Sequence, residues 1–329
     1  MQIVVLSART GWHTDELCRA LAERGHIGVV LPYEGLVARL GMSGPSGLSG
    51  GSHKSAVGLS SDQAPILTAD AVLARIIPSG SLEQIIYRVD ALHWIEEHGV
   101  PVMNSPRAIE RSVDKFYTDA LLHEAGLPTP ETVVCETVAS AMEAVRAMLG
   151  RGGPGEDPGT SNAVVIKPIF GSMGHGLVRV SDPDVAFRVM KSLEQIRAVF
   201  YVQRAIDHGG RDIRVFIAGG RVIGAIERRA PAGEWRTNIA RGATARPFEL
   251  PPDWERVALA AAAAMGAEYS GVDLLPSREG PVFVLEVNAI PGWQGLQRAT
   301  GVDVAGAIVE HLTSRVRPET LNPAGERSA

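Results

Sequence analysis

The sequence predicts an α/β segment followed by an α+β segment. Three observations carry this: an apolar strand, helix, strand opening; a middle punctuated by Gly and Pro; and a β-rich C-terminal third with one long helix. A chain of 329 residues is too long for one compact core, so two or three packed domains are expected. The composition breaks place them at 1–101, 102–198 and 199–329.

Gln2 to Leu6 reads as a buried strand, Glu16 to Arg24 as helix, and Ile27 to Leu31 as a second strand. Residues 41–61 are rich in Gly and Ser and hold few large apolar groups, so a flexible surface loop is expected. Ala71 to Ile77 returns as strand and stops at Pro78. Leu82 to His98 has helical spacing until Gly99 and Pro101. Beyond Asn104-Ser105-Pro106, one helix is expected to contain Asp114-Lys115-Phe116 and to end at Gly126. Arg151 to Asn162 is a second flexible connection, after an Ala/Met-rich helix and before the strand Ala163 to Ile166. From Val199 on, the strands Phe200 to Gln203, Asp212 to Ile217, Val222 to Ile226 and Val282 to Val287 surround the helix Trp254 to Met265.

Composition excludes several classes. Hydrophobic residues make up 45% and charged residues 21%, the balance of a folded chain and not of a disordered one. No apolar run reaches the roughly 20 residues that span a bilayer, and the N-terminus lacks a basic flank, so a cytoplasmic protein without a membrane partner is expected. A net charge of -5 gives no global field for nucleic acid. Cys18 and Cys135 cannot build a disulfide framework or a zinc site and read as buried, inert thiols. The nine histidines lack metal spacing, and there is no G-x-S-x-G nucleophile motif.

Three stretches carry chemistry. Lys167 ends a strand and is followed by a loop with Gly171, Ser172, Gly174 and Gly176, which could close backbone N–H groups over phosphates or be a plain glycine-rich hairpin. Glu286 and Asn288 lie two apart in a strand and project from one face, near Asp273 in sequence context. Such hard oxygens suit Mg²⁺, or are solvated strand polars. Between Arg228 and Arg246 stand five arginines, Arg228, Arg229, Arg236, Arg241 and Arg246, against the single acid Glu234. They form either an oxyanion-binding loop including Asn238 or a solvated face.

Taken in order, Lys115, the Lys167 loop, Gln203-Arg204-Ala205-Ile206, Gly210-Arg211-Asp212-Ile213-Arg214, Glu227-Arg228-Arg229-Ala230, Arg236-Thr237-Asn238, Gly271-Val272-Asp273 and Glu286-Val287-Asn288-Ala289-Ile290-Pro291-Gly292 resemble the ATP-grasp carboxylate–amine ligases of the RimK type. Thr300 to Gly306 looks like that family's closing helix, and Asp70 to Arg75 like its last N-terminal strand. The resemblance spans nearly the whole chain. It implies an ATP-grasp fold: a Rossmann-like N-terminal domain, a central lid and a C-terminal α+β domain, with ATP gripped between the latter two. It also implies a ligase in which ATP phosphorylates a carboxylate and an amine then attacks the acyl phosphate.

Carried over by position, Lys115 and Lys167 hold phosphates, the loop Gly171, Ser172, Gly174, Gly176 covers them, and Arg204 with Ala205 forms the hinge at the adenine. Asp212 and the triplet Arg236, Thr237, Asn238 reach the nucleotide, while Asp273, Glu286 and Asn288 hold two Mg²⁺, with Mn²⁺ as a substitute. Arg236 and Arg298 are the catalytic candidates, holding carboxylates or the acyl phosphate. The hinge departs from the family, since relatives carry a glutamate before an aromatic where this chain has Arg204-Ala205. The resemblance further implies L-glutamate as the amine and an anionic acceptor, either a pterin- or deazaflavin-type cofactor, an amino-group carrier or a protein tail. A homo-oligomer is expected. The rival readings are a non-catalytic ATP-binding protein that switches conformation or assembly, and a kinase that stops at phosphorylation.

Overall fold

The computed structural model describes residues 1–42, 56–150, 162–171, 176–237, 242–278 and 280–316. In chain order the elements are β1 Gln2–Leu6, α1 Trp12–Glu23, β2 Ile27–Leu31, β3 Leu36–Met42, β4 Ala56–Ser61, β5 Ala64–Pro65, β6 Ala71–Ala74, α2 Leu82–Glu97 and β7 Val102–Met103. There follow α3 Pro106–Val113, α4 Lys115–Glu124, β8 Thr132–Cys135, α5 Val138–Leu149, β9 Val164–Lys167, β10 Val178–Val180, α6 Pro183–Gln195 and β11 Phe200–Arg204. The last are β12 Arg211–Ala218, β13 Arg221–Arg229, β14 Thr244–Pro247, α7 Pro252–Met265, β15 Tyr269–Pro276, β16 Val282–Asn288, α8 Gln294–Thr300 and α9 Val304–Arg315. No described helix is long and apolar enough to cross a membrane.

The chain divides into two compact units. The first comprises residues 1–107, 292–294 and 303–329, and the second 108–291 and 295–302. In the first unit β2, β1, β6 and β7 form a parallel sheet in that order. Ile3 to Leu6 are buried without alternation, as expected for parallel strands covered on both faces. β7 continues the sheet past β6, so the strand within Asp70 to Arg75 is not the last one of this region. The loop expected over 41–61 is corrected at both ends: β3 and β4 pair antiparallel from Leu36↔Ser61 to Met42↔Ala56, and 43–55 lie outside the described residues. The C-terminal α9 packs on α1, where Arg19 reaches Asp303 at 2.7 Å. Trp293 is fully buried in this unit, its ring edge-on to His13 at 4.6 Å, with the Arg75 guanidinium 4.6 Å from its centre.

The second unit holds two antiparallel sheets. In the order β10-β9-β11-β8, Val164, Ile166, Phe200 and Val202 face α5 and α6 in an apolar core. The intervening Val165, Lys167, Tyr201 and Gln203 therefore project from the other face. Because Phe200–Arg204 pairs with Thr132–Cys135, this sheet runs past the boundary expected at 198. The other sheet has the order β14-β13-β12-β15-β16. Its Ile213, Val215, Ile217, Val272 and Leu274 pack under α7 and Leu122 of α4. Asp114 interrupts the single helix expected there: its side chain accepts from the Tyr117 N–H at 3.0 Å and starts α4 anew at Lys115.

Candidate active site

The two sheets of the second unit turn their polar faces toward one cleft. On the five-stranded sheet that face is a ladder of charged side chains set by register, two rungs of opposite sign and one of like sign. Arg228 stands opposite Asp212, Arg214 opposite Asp273, and Asp273 opposite Glu286. Arg228 donates to both Asp212 oxygens, at 2.7 and 2.6 Å, and its Nη2 lies 2.9 Å from Asp273. Arg214 closes a second fork on Asp273 through Nε and Nη2. Gly271 leaves room for it, since a Cβ there would lie 2.9 Å from the Arg214 Nη1. Burial raises the Asp273 carboxyl, yet Arg214 and Arg228 hold it below the usual carboxylate range.

Glu286 reaches the cleft through a bulge. The register shifts between Asp273 and Leu274, leaving Leu285 unpaired, so that Val284 and Val287 both point to the core and Glu286 to the other face. Its carboxylate accepts no hydrogen bond among the described residues, and burial together with the neighbouring Asp273 raises its pKa. Asn288 stands opposite Gly271 on the same strand and is not among the cleft-lining residues.

From the four-stranded sheet, Lys167 is buried and donates to Gln203 Oε1 at 2.6 Å. Burial lowers its pKa to about 8, against the pull of Asp119 and Glu286. Lys115 donates to the carbonyls of Gly171, at 2.8 Å, and Ile169, at 3.3 Å. Gly176 has φ 73, a conformation that favours glycine, and a Cβ there would press on Pro168 at 3.3 Å. Ser172, Gly174 and Asn238 lie outside the described residues.

The structure thus gathers Lys115, Lys167, Gly171, Arg204, Ala205, Asp212, Arg236, Thr237, Asp273 and Glu286 around one cleft. Arg298 is exposed on α8 and does not line it. The arginine-rich stretch is not a bare positive patch. Arg228 is absorbed by Asp212 and Asp273, Arg229 and Arg246 meet Glu227 at 2.6 and 2.9 Å, and Arg236 closes on Glu234 at 2.9 and 2.7 Å. Hydrogen bonds from Arg236 hold the Glu234 carboxyl down at about 2. Arg241 lies outside the described residues. Thr237 donates to Asp212 at 2.5 Å, so that triplet member supports a carboxylate. At the hinge, the Arg204 and Ala205 N–H groups are spent on the carbonyls of Glu131 and Ala163, at 2.8 and 2.9 Å. Both cysteines are half-buried rather than buried, with thiols pushed up by burial.

A buried polar cluster escapes sequence reading. Asp119, on α4, takes a hydrogen bond from the Tyr201 hydroxyl, and Gln203 Nε2 reaches Tyr201 Oη at 3.1 Å and Thr132 Oγ1 at 2.9 Å. Its pKa is raised by burial.

Arg228 offers a test of the ladder. Arg228→Ala strands Asp212 in the interior with only Thr237 to bond it, so a loss of about 3–5 kcal/mol in unfolding free energy is expected in urea titrations. A loss under about 1 kcal/mol would show that water replaces the guanidinium.

Residues 112–312 match the profile of the RimK-like ATP-grasp domain. The chain is similar to the tetrahydromethanopterin:alpha-L-glutamate ligase of Methanosarcina acetivorans, at 32% identity over 92% of this chain and 95% of that one. It is also similar to a probable alpha-L-glutamate ligase of Cellvibrio japonicus, at 35% identity over 78% and 80% of the two chains. Among solved structures, that of the ATP-grasp ligase PsnB complexed with a phosphomimetic variant of its minimal precursor, Mg and ADP shares the fold. Its TM-score is 0.68 at 22% identity, over 96% of this chain and 98% of that chain.

Proposed function

Since the chain belongs to the RimK-like ATP-grasp family and is a ligase, we propose that it joins L-glutamate by an amide bond to the carboxylate of an anionic acceptor at the expense of ATP. The observation that carries this reading is the cleft itself, where Lys115 of α4 and Lys167 of the four-stranded sheet line the same space as Asp273 and Glu286. Lys115 and Lys167 are compact cations suited to phosphate oxygens, and Lys167 is held at the cleft by Gln203. Phosphoryl transfer asks mainly for positioning and charge neutralisation, which fixed cations supply.

The donor set fits Mg²⁺. Glu286 presents a carboxylate without a hydrogen-bond donor, Asp273 stands opposite it, and both are hard oxygens. Among the described residues no three His, Cys, Asp or Glu form a metal-binding group; Glu286 and Asp273 would hold the ion together with oxygens of the substrate and water, the usual mixed shell of Mg²⁺. Mg²⁺, when bound, neutralises charge on the transferring phosphoryl group. Asp273 already carries the Arg214 fork and a single contact from Arg228 Nη2, and would share its oxygens.

In the reaction, an acceptor carboxylate oxygen takes the γ-phosphoryl group and ADP leaves. The glutamate amine then attacks the acyl carbon, the C–N bond forms, the C–O bond to phosphate breaks, and the amine loses a proton. A carboxylated pterin-type cofactor is the acceptor favoured, because the relative named for such a substrate aligns over 92% of this chain. ADP release and product mass are to be measured with ATP, Mg²⁺, L-glutamate or other amino acids, and either a carboxylated pterin or a Glu-ended peptide. The expected result is ADP release that needs both glutamate and pterin, with product heavier by one glutamyl residue. ADP release without any amine would make the protein a kinase, and nucleotide binding without turnover would make it a switch.

A further inference from the structure

We propose that Asp119 is the specificity-determining contact for the nucleotide base, its open carboxylate oxygen accepting a hydrogen from the 6-amino group of adenine. This assignment rests on the nucleotide reading of the cleft given above. Four carboxylates line the cleft: Asp119, Asp212, Asp273 and Glu286. Asp212 and Asp273 are closed by guanidinium forks, and Glu286 stands beside Asp273 where a cation fits. Asp119 has only neutral donors, and all of them converge on one oxygen. Tyr201 Oη, Thr132 Oγ1 at 3.2 Å and Gln203 Nε2 at 3.4 Å all approach Oδ2, while Oδ1 accepts no hydrogen bond among the described residues.

A carboxylate in this position repels phosphate and a base carbonyl alike, and it rewards an N–H donor. The nearby lysines do not fill the role, since Lys167 is turned to Gln203 and Lys115 to the backbone of the following loop. Val165, Ala205 and Leu285 give the same cleft apolar walls for a flat ring. The hinge N–H groups of Arg204 and Ala205 are already spent on protein carbonyls, so a side-chain acceptor here supplies base recognition that those two groups do not. The pinned Oδ2 also fixes which way a replacement must point. In Asp119→Asn, the carbonyl oxygen takes the Tyr201 hydrogen and the NH₂ takes the place of Oδ1, a donor in place of an acceptor.

The test measures binding of ATP, inosine triphosphate, which has a 6-oxo group, and purine riboside triphosphate, which has no 6-substituent. These are compared by calorimetry for the wild type, Asp119→Asn and Asp119→Ser. Wild type is expected to prefer ATP over inosine triphosphate by about 10–100-fold, with purine riboside triphosphate between them. Asp119→Asn should reverse the preference, and Asp119→Ser should level it. If Asp119→Asn fails to fold, the serine variant and the wild-type series decide. Equal wild-type affinity for ATP and purine riboside triphosphate, or an ATP preference unchanged in the variants, would overturn the assignment while leaving the nucleotide site standing. Binding of none of the three triphosphates by wild type would overturn the nucleotide reading itself, and this assignment with it.

Discussion

Glu286→Gln is expected to fold normally and to lose about a hundredfold or more in turnover. Glu286 is raised by burial and by Asp273 beside it, so a neutral isostere removes repulsion from the folded protein and its thermal midpoint should not fall. What the amide cannot supply is the charge of a hard oxygen ligand, since a glutamine carbonyl is a weaker partner for Mg²⁺ than a carboxylate. The Mg²⁺ concentration giving half-maximal ADP release should therefore rise together with the loss of turnover. Wild-type turnover with an unchanged Mg²⁺ midpoint would remove Glu286 from the metal site.

Much of this arrangement was legible in the sequence, for reasons that differ by element. Gln2–Leu6 and Ile27–Leu31 are short apolar runs of parallel strands, and period and composition agree there. The pair Lys167 and Gln203 follows from alternation, because Ile166 and Val202 between them and their neighbours take the core face. β3 and β4 are hidden because the stretch 41–61 is rich in Gly and Ser and carries little apolar signal, while the antiparallel pairing that makes them strands leaves no local mark. The bulge at Leu285 is equally silent, although it is what aims Glu286 away from the core. The arginine-rich stretch misleads because the balance of charge along the chain does not reveal ion pairs that form across strands. Asp212 meets Arg228 by register from β12, and Glu227 stands one residue before the stretch begins. Asp119 has no motif at all; only folding places it beside Tyr201 and Gln203.

Lys167→Met is expected to weaken ATP binding about 10–100-fold without lowering the stability of the nucleotide-free protein at pH 7. Lys167 has its folded pKa at about 8, below the unperturbed 10.5, because burial disfavours its charge. The unfolded chain thus binds more protons than the folded one between these values, so stability rises with pH from about 8 to 10.5. The full cost, on the order of 3 kcal/mol, is present below pH 8. Methionine removes that cost while leaving Gln203 Oε1 without its 2.6 Å donor, worth about 1–3 kcal/mol, so the two effects offset. Phosphates brought beside Lys167 favour its protonated form, which fixes the sign of a second observable: above about pH 8, ATP binding by wild type takes up a proton, and affinity falls as pH rises further. Calorimetry at pH 9 in two buffers of different ionisation enthalpy should show this uptake in wild type and not in Lys167→Met. Equal proton uptake in both proteins would place the titrating group elsewhere, and equal ATP affinity would take Lys167 out of the phosphate site.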